Sequence, residues 1–172
     1  DTLAENWEKL QPHAEACFEY VNKHFGKYPY PQYSVIQGGD GGMEYPMCTL
    51  ITSHGSLGGL ISVTVHESIH SWFQGMMATN ESKYPWMDEG FTQYAQQHVL
   101  NHILEKGDEF PFARIYMVYA SLARSKDQEP LTTHADHYKK NRTYSISSYY
   151  KGAVFLHQLS YVVGQEAFSK GM

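Results

Sequence analysis

Apolar residues recur with helical spacing over much of this chain. The first run, from Leu3 to Phe25, repeats at steps of three and four residues and predicts an amphipathic helix that faces a core. Pro12 is expected to divide or kink this helix, and Gly26 to end it. Segment 28–31, in which tyrosine and proline alternate, is predicted to run extended because proline disfavours helix in the residue before it.

Two short strands are predicted next, at 33–37 and 47–52, on either side of the glycine-rich segment 38–42. That segment is not interpreted as a phosphate-binding loop, because no Gly-Lys-Ser/Thr follows it and no strand-loop-helix order surrounds it. We predict a turn between strands there.

The second half of the chain is predicted to be mainly helical. A polar connection separates the first two helices of this half, and Asp88 is a suitable N-cap for the second. The segments are a helix at 60–77, a helix marked by Phe91 and Val99, a helix from about 111 to 122, an irregular polar stretch at 125–145, a helix at 149–163 ended by Gly164, and a last element at 165–172. The order of elements predicts an α+β domain, with a small β-sheet lobe packed on a mainly helical lobe.

Composition and charge exclude several classes of protein. The 172 residues with 42% hydrophobic content are enough for one domain with a core. The net charge of −5, without a run of lysines or arginines, predicts binding neither to nucleic acid nor to an anionic membrane surface. No segment has the roughly 20 apolar residues of a membrane span. The residues from Asp1 to Glu8 are acidic, unlike a signal peptide, so we expect a soluble domain. Cys17 and Cys48 are predicted to be buried free thiols.

The helix at 60–77 contains a metal-binding pattern, His66-Glu67-Ser68-Ile69-His70. Side chains four residues apart lie on one face of a helix, so both imidazoles can reach one ion. Glu67 lies about 100° around the helix from His66 and can flank the ion without binding it, as a base acting on metal-bound water does. Catalytic zinc also needs a third protein ligand and an open fourth position.

The position of the third ligand separates the families of zinc peptidase. A metzincin would have a glycine three residues and a histidine six residues after His70, where this chain has Phe73 and Met76, so that class is excluded. Glu89 follows His70 after eighteen intervening residues, near the start of the next helix, and a helix-loop-helix can bring it back to the ion. Asp88 is the neighbouring alternative.

Two other histidine pairs are interpreted as surface or core residues rather than as ligands. His98 and His102 are four apart, but no acid follows the first of them. His134 and His137 lie in the polar stretch.

Together with this pattern, several blocks of sequence resemble the aminopeptidase N family, the thermolysin-like mono-zinc gluzincin aminopeptidases. The match runs from about residue 15 to the end of the chain, in the family's order. Segment 41–45 resembles the family's Gly-x-Met-Glu-Asn exopeptidase motif, with Tyr45 in place of asparagine. The other blocks are 25–31, which resembles the entry to the sheet, 65–73 and 86–91, which resemble the zinc helix and the third-ligand helix, and 149–153, which resembles a Tyr-x-Lys-Gly-Ala block.

This resemblance implies a thermolysin-like catalytic domain at 1–172, with a β-rich domain before it and a helical domain after it in a longer chain. It implies one Zn²⁺ per chain, held by His66, His70 and Glu89. Glu67 is then the base in hydrolysis of the N-terminal peptide bond by a zinc-bound water. Asp88 is left as a helix cap and a possible hydrogen-bond partner of a histidine N–H.

The resemblance also assigns roles at the substrate. Glu44 binds the free amino group of a peptide, and Tyr149 donates a hydrogen bond to the oxyanion. Tyr149 is chosen over its neighbour Tyr150 because one residue separates the family's tyrosine from Lys-Gly. Gly41 and Gly42 let the backbone approach the substrate. The alternatives are an endopeptidase or another hydrolase on the same site, which Glu44→Ala would distinguish, and a non-catalytic scaffold, which is disfavoured because the ligands and the base are all present.

Overall fold

A computed structural model describes residues 2–52 and 55–172, so Asp1 lies outside the described part. Three strands and eight α-helices are found there. The strands are β1 (Ser34–Gln37), β2 (Gly42–Tyr45) and β3 (Cys48–Ile51); the helices are α1 (Thr2–Glu8), α2 (Gln11–His24), α3 (Leu57–Ile69), α4 (Phe91–Ile103), α5 (Ala113–Ala123), α6 (Asn141–Ser145), α7 (Gly152–Val163) and α8 (Gln165–Gly171). This arrangement confirms the predicted α+β class. No helix of the described residues is long and apolar enough to cross a membrane.

The predicted N-terminal helix is divided into α1 and α2. Pro12 lies in the first turn of α2, where the missing N–H of proline leaves no hydrogen bond unmade. Gly26, at φ 127°, follows the end of α2 and turns the chain toward the sheet.

The sheet has the order β1-β3-β2, with β3 parallel to β1 and antiparallel to β2. The predicted strands correspond to β1 and β3, each shorter than predicted. The simple turn predicted between them is wrong, because parallel neighbours cannot be joined by a tight turn. The connection contains β2, in which Gly42 and Glu44 are half-buried, whereas the larger apolar side chains of Met43 and Tyr45 are exposed. The apolar residues of β2 therefore do not mark a buried face, and the sequence pattern does not reveal the strand.

The core consists of two clusters of buried side chains that share α4. The first surrounds α3 and includes Val21, Ile51, Leu60, Ile69, Trp72 and Val99. The second lies among α4, α5, α7 and α8 and includes Tyr94, Phe112, Ile115, Leu156 and Phe168. Phe25 and Phe91 pack against both clusters. α3 and α4 therefore lie side by side, which brings their polar faces together at one end of the first cluster.

The predicted helix at 60–77 ends early, at Ile69. Residues Ser71–Met76 form an irregular turn in which Gln74 has φ 103°. The break allows two consecutive large side chains, Trp72 and Phe73, both to be buried. It also lets the Trp72 indole N–H donate to the Gly26 carbonyl at 2.7 Å. Tertiary packing thus overrides the helical spacing here.

Three other expectations are corrected. Asp88 is not an N-cap, because a wide helical turn, Trp86–Gly90, precedes α4 and contains it. The stretch at 125–145 is not wholly irregular, since it contains a short helical turn, Ala135–His137, and α6. Cys17 and Cys48 are both free thiols, but only Cys17 is buried, whereas Cys48 is half-buried on the sheet.

Candidate metal centre

α3 places His66 and His70 on one face, and the turn Trp86–Gly90 brings Glu89 against them. The Nε2 atoms of the two histidines are 3.3 Å apart. Glu89 Oε2 is 3.2 Å from His66 Nε2 and 3.4 Å from His70 Nε2. Two imidazole nitrogens and one carboxylate oxygen thus form a nearly equilateral triangle.

These separations fit a tetrahedral ion. Donors that lie 2.0–2.1 Å from one centre at tetrahedral angles are about 3.3–3.4 Å from each other. The three distances in the triangle, 3.2 to 3.4 Å, agree with that value. Two nitrogens and one oxygen also form a donor set that Zn²⁺ accepts, with one position left open.

The other ring nitrogens are held by hydrogen-bonding partners. His70 Nδ1 lies 2.5 Å from Asp88 Oδ1 and 3.3 Å from Thr92 Oγ1. His66 Nδ1 lies 3.4 Å from Gln96 Oε1, and the Gln96 amide nitrogen donates to the Ser62 carbonyl at 2.8 Å. An N–H at each Nδ1 leaves the Nε2 lone pair facing the triangle, as metal binding requires.

Sequence reasoning anticipated Asp88 as a partner but missed Thr92 and Gln96. Their spacing was a usable signal, because residues 89, 92 and 96 fall at steps of three and four and therefore share one helix face. That face is turned toward α3.

Electrostatics favour positive charge at the triangle. Burial alone would raise the pKa of Glu89, but hydrogen bonds from His66 and His70 outweigh it and lower that pKa to about 2. Burial would lower the pKa of His70, but Asp88 and Glu89 hold it well above the ordinary value. A cation at this point therefore meets a Glu89 carboxylate that is already ionised.

Glu67 lies beside the triangle without belonging to it. Its side chain is only 6% exposed, and burial raises the pKa of its carboxyl to about 7. The backbone of β2 approaches it so closely that a Cβ on Gly42 would lie 2.6 Å from Glu67 Oε1 and 2.5 Å from a methyl of Val63. Gly41, at φ 79°, makes the turn into β2.

Tyr149 reaches the same centre from the turn Ile146–Lys151. Its hydroxyl donates to Glu89 Oε1 at 2.6 Å, and its ring stacks on His66 with centroids 5.7 Å apart. Burial, followed by the charge of Glu89, raises the pKa of the Tyr149 phenol, which therefore stays protonated. The neighbouring Tyr150 packs against the second core cluster instead.

Glu44 faces the triangle across a cleft of about 350 Å³. A carboxylate oxygen of Glu44 and ligand atoms of His70 and Asp88 lie within 4.8 Å of one another. Burial raises the pKa of Glu44. Of the eight residues predicted for the site, seven line this cleft: Gly42, Glu44, His66, Glu67, His70, Glu89 and Tyr149. Gly41 lies one residue outside it.

The histidines set aside as ligands are elsewhere. His98 packs between Tyr94 and Phe112, and burial lowers its pKa to about 4. His102 packs against Tyr20, with ring centroids 4.9 Å apart.

Comparison with known proteins identifies the family of this chain. Residues 11–172 match the family model described as the Peptidase family M1 domain. The chain belongs to peptidase family M1. This confirms the resemblance to the aminopeptidase N family at the level of the family.

Relatives of this M1 domain share moderate identity. Leucine aminopeptidase 2 of Chaetomium globosum is 28% identical over an alignment of 179 residues that covers 97% of this chain and 29% of that protein. Aminopeptidase B of Rattus norvegicus is 28% identical over an alignment of 169 residues that covers 86% of this chain and 25% of that protein. The chain therefore spans less than a third of the length of either relative.

A solved structure of an M1 zinc metallopeptidase from Deinococcus radiodurans superposes with a TM-score of 0.69 at 24% identity, over 92% of this chain and 34% of that one. The thermolysin-like M1 fold is thus confirmed for this domain.

Proposed function

We propose that this M1 domain is a zinc-dependent aminopeptidase that removes the first residue of peptides with a free amino end. The observation that carries this proposal is the triangle of His66, His70 and Glu89, with donor atoms 3.2 to 3.4 Å apart, open to a cleft that also holds Glu44 and Glu67. Relatives named as aminopeptidases support it.

One Zn²⁺ fits the donor set, with His66 and His70 as nitrogen ligands and Glu89 as the oxygen ligand. When bound, it supplies Lewis-acid polarisation of a carbonyl and lowers the pKa of water. Asp88, Thr92 and Gln96 keep the two imidazoles in the orientation that presents Nε2.

Two side chains beside the triangle have further roles, one in proton transfer and one in hydrogen bonding to the substrate. Glu67 is adjacent to the triangle and is not engaged by it, so its carboxylate takes a proton from the attacking water and passes it to the leaving amine. The Tyr149 hydroxyl is a donor at the edge of the triangle, where a substrate carbonyl competes with Glu89 for its hydrogen bond as charge develops.

Glu44 restricts binding in the cleft to the amino end of a peptide. An α-ammonium group pairs with its carboxylate at a fixed distance from the triangle, so only the first peptide bond reaches Glu67. β2 is an edge strand of the sheet, and its outer backbone groups can align an extended peptide beside it.

The exopeptidase assignment is tested with one short peptide, free or acetylated at its amino end. We expect cleavage of the free peptide alone. Glu44→Ala should lower kcat/KM for it by about a hundredfold, because a charge-assisted hydrogen bond is lost in a partly desolvated cleft. Glu19→Ala, which removes an exposed acid on α2 outside the cleft, is the matched control. Equal cleavage of both peptides would identify an endopeptidase instead.

Glu67→Gln tests the base with little change in shape. We expect kcat to fall by about 10² to 10⁴ while zinc stays bound, because the amide cannot accept a proton. Turnover and metal content are measured on the same preparation. Near-full activity with zinc bound would contradict the role of Glu67, and a wild-type chain that binds zinc and peptide without turnover would favour the scaffold alternative.

A further inference from the structure

A second cleft, of about 810 Å³, adjoins the first at His66, Glu67 and Tyr149. It lies beside the N-terminal half of α3, from Gly59 to Glu67, and is closed on the other side by α4, α5 and the loop between them. The two clefts thus form one groove along α3, with the metal triangle between its halves.

The order of residues along β2 sets the direction of a substrate in this groove. Gly42, at the start of β2, lies against Val63 and Glu67, whereas Glu44 lies near His70. A peptide whose amino group pairs with Glu44 must therefore extend past Glu67 toward Val63. Val63 lines the second cleft, so that cleft receives the residues that follow the scissile bond.

The two halves of the groove differ in charge. Among the described residues, the half that contains Glu44 is lined by five carboxylates, those of Glu44, Glu67, Glu81, Asp88 and Glu89, and by no lysine or arginine.

The second half contains two cationic side chains, Lys106 on the α4–α5 loop and Arg114 on α5. Its acids are Asp108 and the shared Glu67. Within the part of the chain that the structure describes, the ion pairs found involve neither Lys106 nor Arg114. Both cations are therefore available to an anionic ligand in a chain that is otherwise net acidic.

We propose that Arg114, assisted by Lys106, binds the terminal carboxylate of short peptides, so that the substrates are zwitterions held at both ends. This rests on the aminopeptidase function proposed above. A planar guanidinium suits bidentate binding of a carboxylate. The nine residues from Gly59 to Glu67 are separated by eight steps of about 1.5 Å, so they span roughly 12 Å of helix. That length holds about three extended residues beyond the scissile bond, so the preferred peptides have three or four residues.

The test compares kcat/KM for one apolar tripeptide as the free acid and as the C-terminal amide. We expect the longest available chain that carries this domain to prefer the acid by about tenfold, the effect of one charge-assisted hydrogen bond in a half-open groove. Arg114→Gln should abolish this preference by raising KM for the acid, and leave the amide unchanged. The preference for the free acid over the amide should disappear in peptides of six residues.

Arg124→Gln is the matched control, because it removes the same charge near the end of the same helix, outside both clefts. A third peptide, an amide with aspartate as its last residue, separates the two sources of a carboxylate. The proposal would be overturned if the amide that ends in aspartate were cleaved better than the apolar amide while the free acid were not. The cationic residues would then bind an acidic side chain rather than the terminal carboxylate.

Two results would overturn the proposal in distinguishable ways. Equal cleavage of acid and amide, with acetylated peptides still refused, would remove the carboxylate site and leave the aminopeptidase intact. If the zinc-bound protein cleaved none of the peptides, both the carboxylate site and the proposed aminopeptidase function would be contradicted.

Discussion

At the scale of single residues, the centre depends on side chains that would not bind the metal. His70 presents Nε2 to the triangle because Asp88 and Thr92 engage its Nδ1. Gln96 does the same for His66, and its own amide is oriented by Ser62. An imidazole that could rotate would bind an ion more weakly, because its orientation would have to be restricted on binding.

We predict that Asp88→Asn weakens zinc affinity by about 10- to 100-fold, because a neutral amide is a poorer acceptor for the His70 N–H and does not favour the charged complex. Affinity is measured by competition with a chelator of known affinity. Asp127→Asn, which removes a carboxylate paired with Lys140 at the surface, is the control. An unchanged zinc affinity in Asp88→Asn would show that Asp88 does not orient the ligand.

At the scale of elements, the site is assembled from α3 and two wide helical turns, Trp86–Gly90 and Ile146–Lys151. The two turns meet where Gly90 packs against Ser148 and against Gly152, the first residue of α7. A Cβ on Gly90 would lie 2.8 Å from Gly152 Cα and 3.0 Å from the Ser148 carbonyl oxygen, both of which are backbone atoms. This close approach sets how near Glu89 and Tyr149 can come, and they are joined by a 2.6 Å hydrogen bond.

Gly90→Ala is therefore expected to destabilise the fold by about 1–3 kcal/mol, since backbone must move to admit the methyl group. It should also weaken zinc binding, because Glu89 is the adjacent residue. Urea unfolding and zinc titration measure the two effects.

Gly58→Ala, in the first turn of α3, provides the comparison. A Cβ there meets nothing within 4 Å, and alanine favours helix, so stability should be unchanged or slightly higher. If Gly90→Ala behaved in the same way as Gly58→Ala, the close contact between the turns would not constrain the site.

At the scale of the whole molecule, the proposed metal ligands join elements that are distant in sequence. His66 lies on α3, His70 is the residue that caps its C-terminal end, and Glu89 precedes α4. Tyr149, which donates to Glu89, precedes α7. The two core clusters meet at α4, close to this junction. A metal bound here stabilises the folded chain, because the unfolded chain cannot hold the three ligands together.

We expect removal of zinc to lower the melting temperature. At free zinc a hundred times above its dissociation constant, the stabilisation is about 2.7 kcal/mol. Calorimetry with zinc, with a chelator, and with magnesium in place of zinc measures the shift. Magnesium should not restore the temperature, since it prefers six oxygen ligands. The same melting temperature with and without zinc would contradict a metal site at this junction.

Much of the site could be predicted from the sequence, because the relevant distances are local. Residues four apart on a helix share a face whatever surrounds them, so the pairing of His66 and His70 needs only α3 to form. The family resemblance supplied Glu89, Glu44 and Tyr149 as candidates, and the structure brings all three to one cleft. β1 and β3 were predictable because their apolar runs lie between turn residues.

The remaining features depend on contacts between distant segments. The helix break after His70 occurs because Trp72 and Phe73 are buried together, and the edge strand β2 forms by pairing with β3. Asp88 appears in the sequence as a helix cap, and only the packing of its turn against α3 makes it a partner of His70. The amino-acid sequence by itself determined the metal-binding face, through helical periodicity. Tertiary structure decided which side chains complete that face and how charge is distributed along the groove, because both depend on which elements pack together.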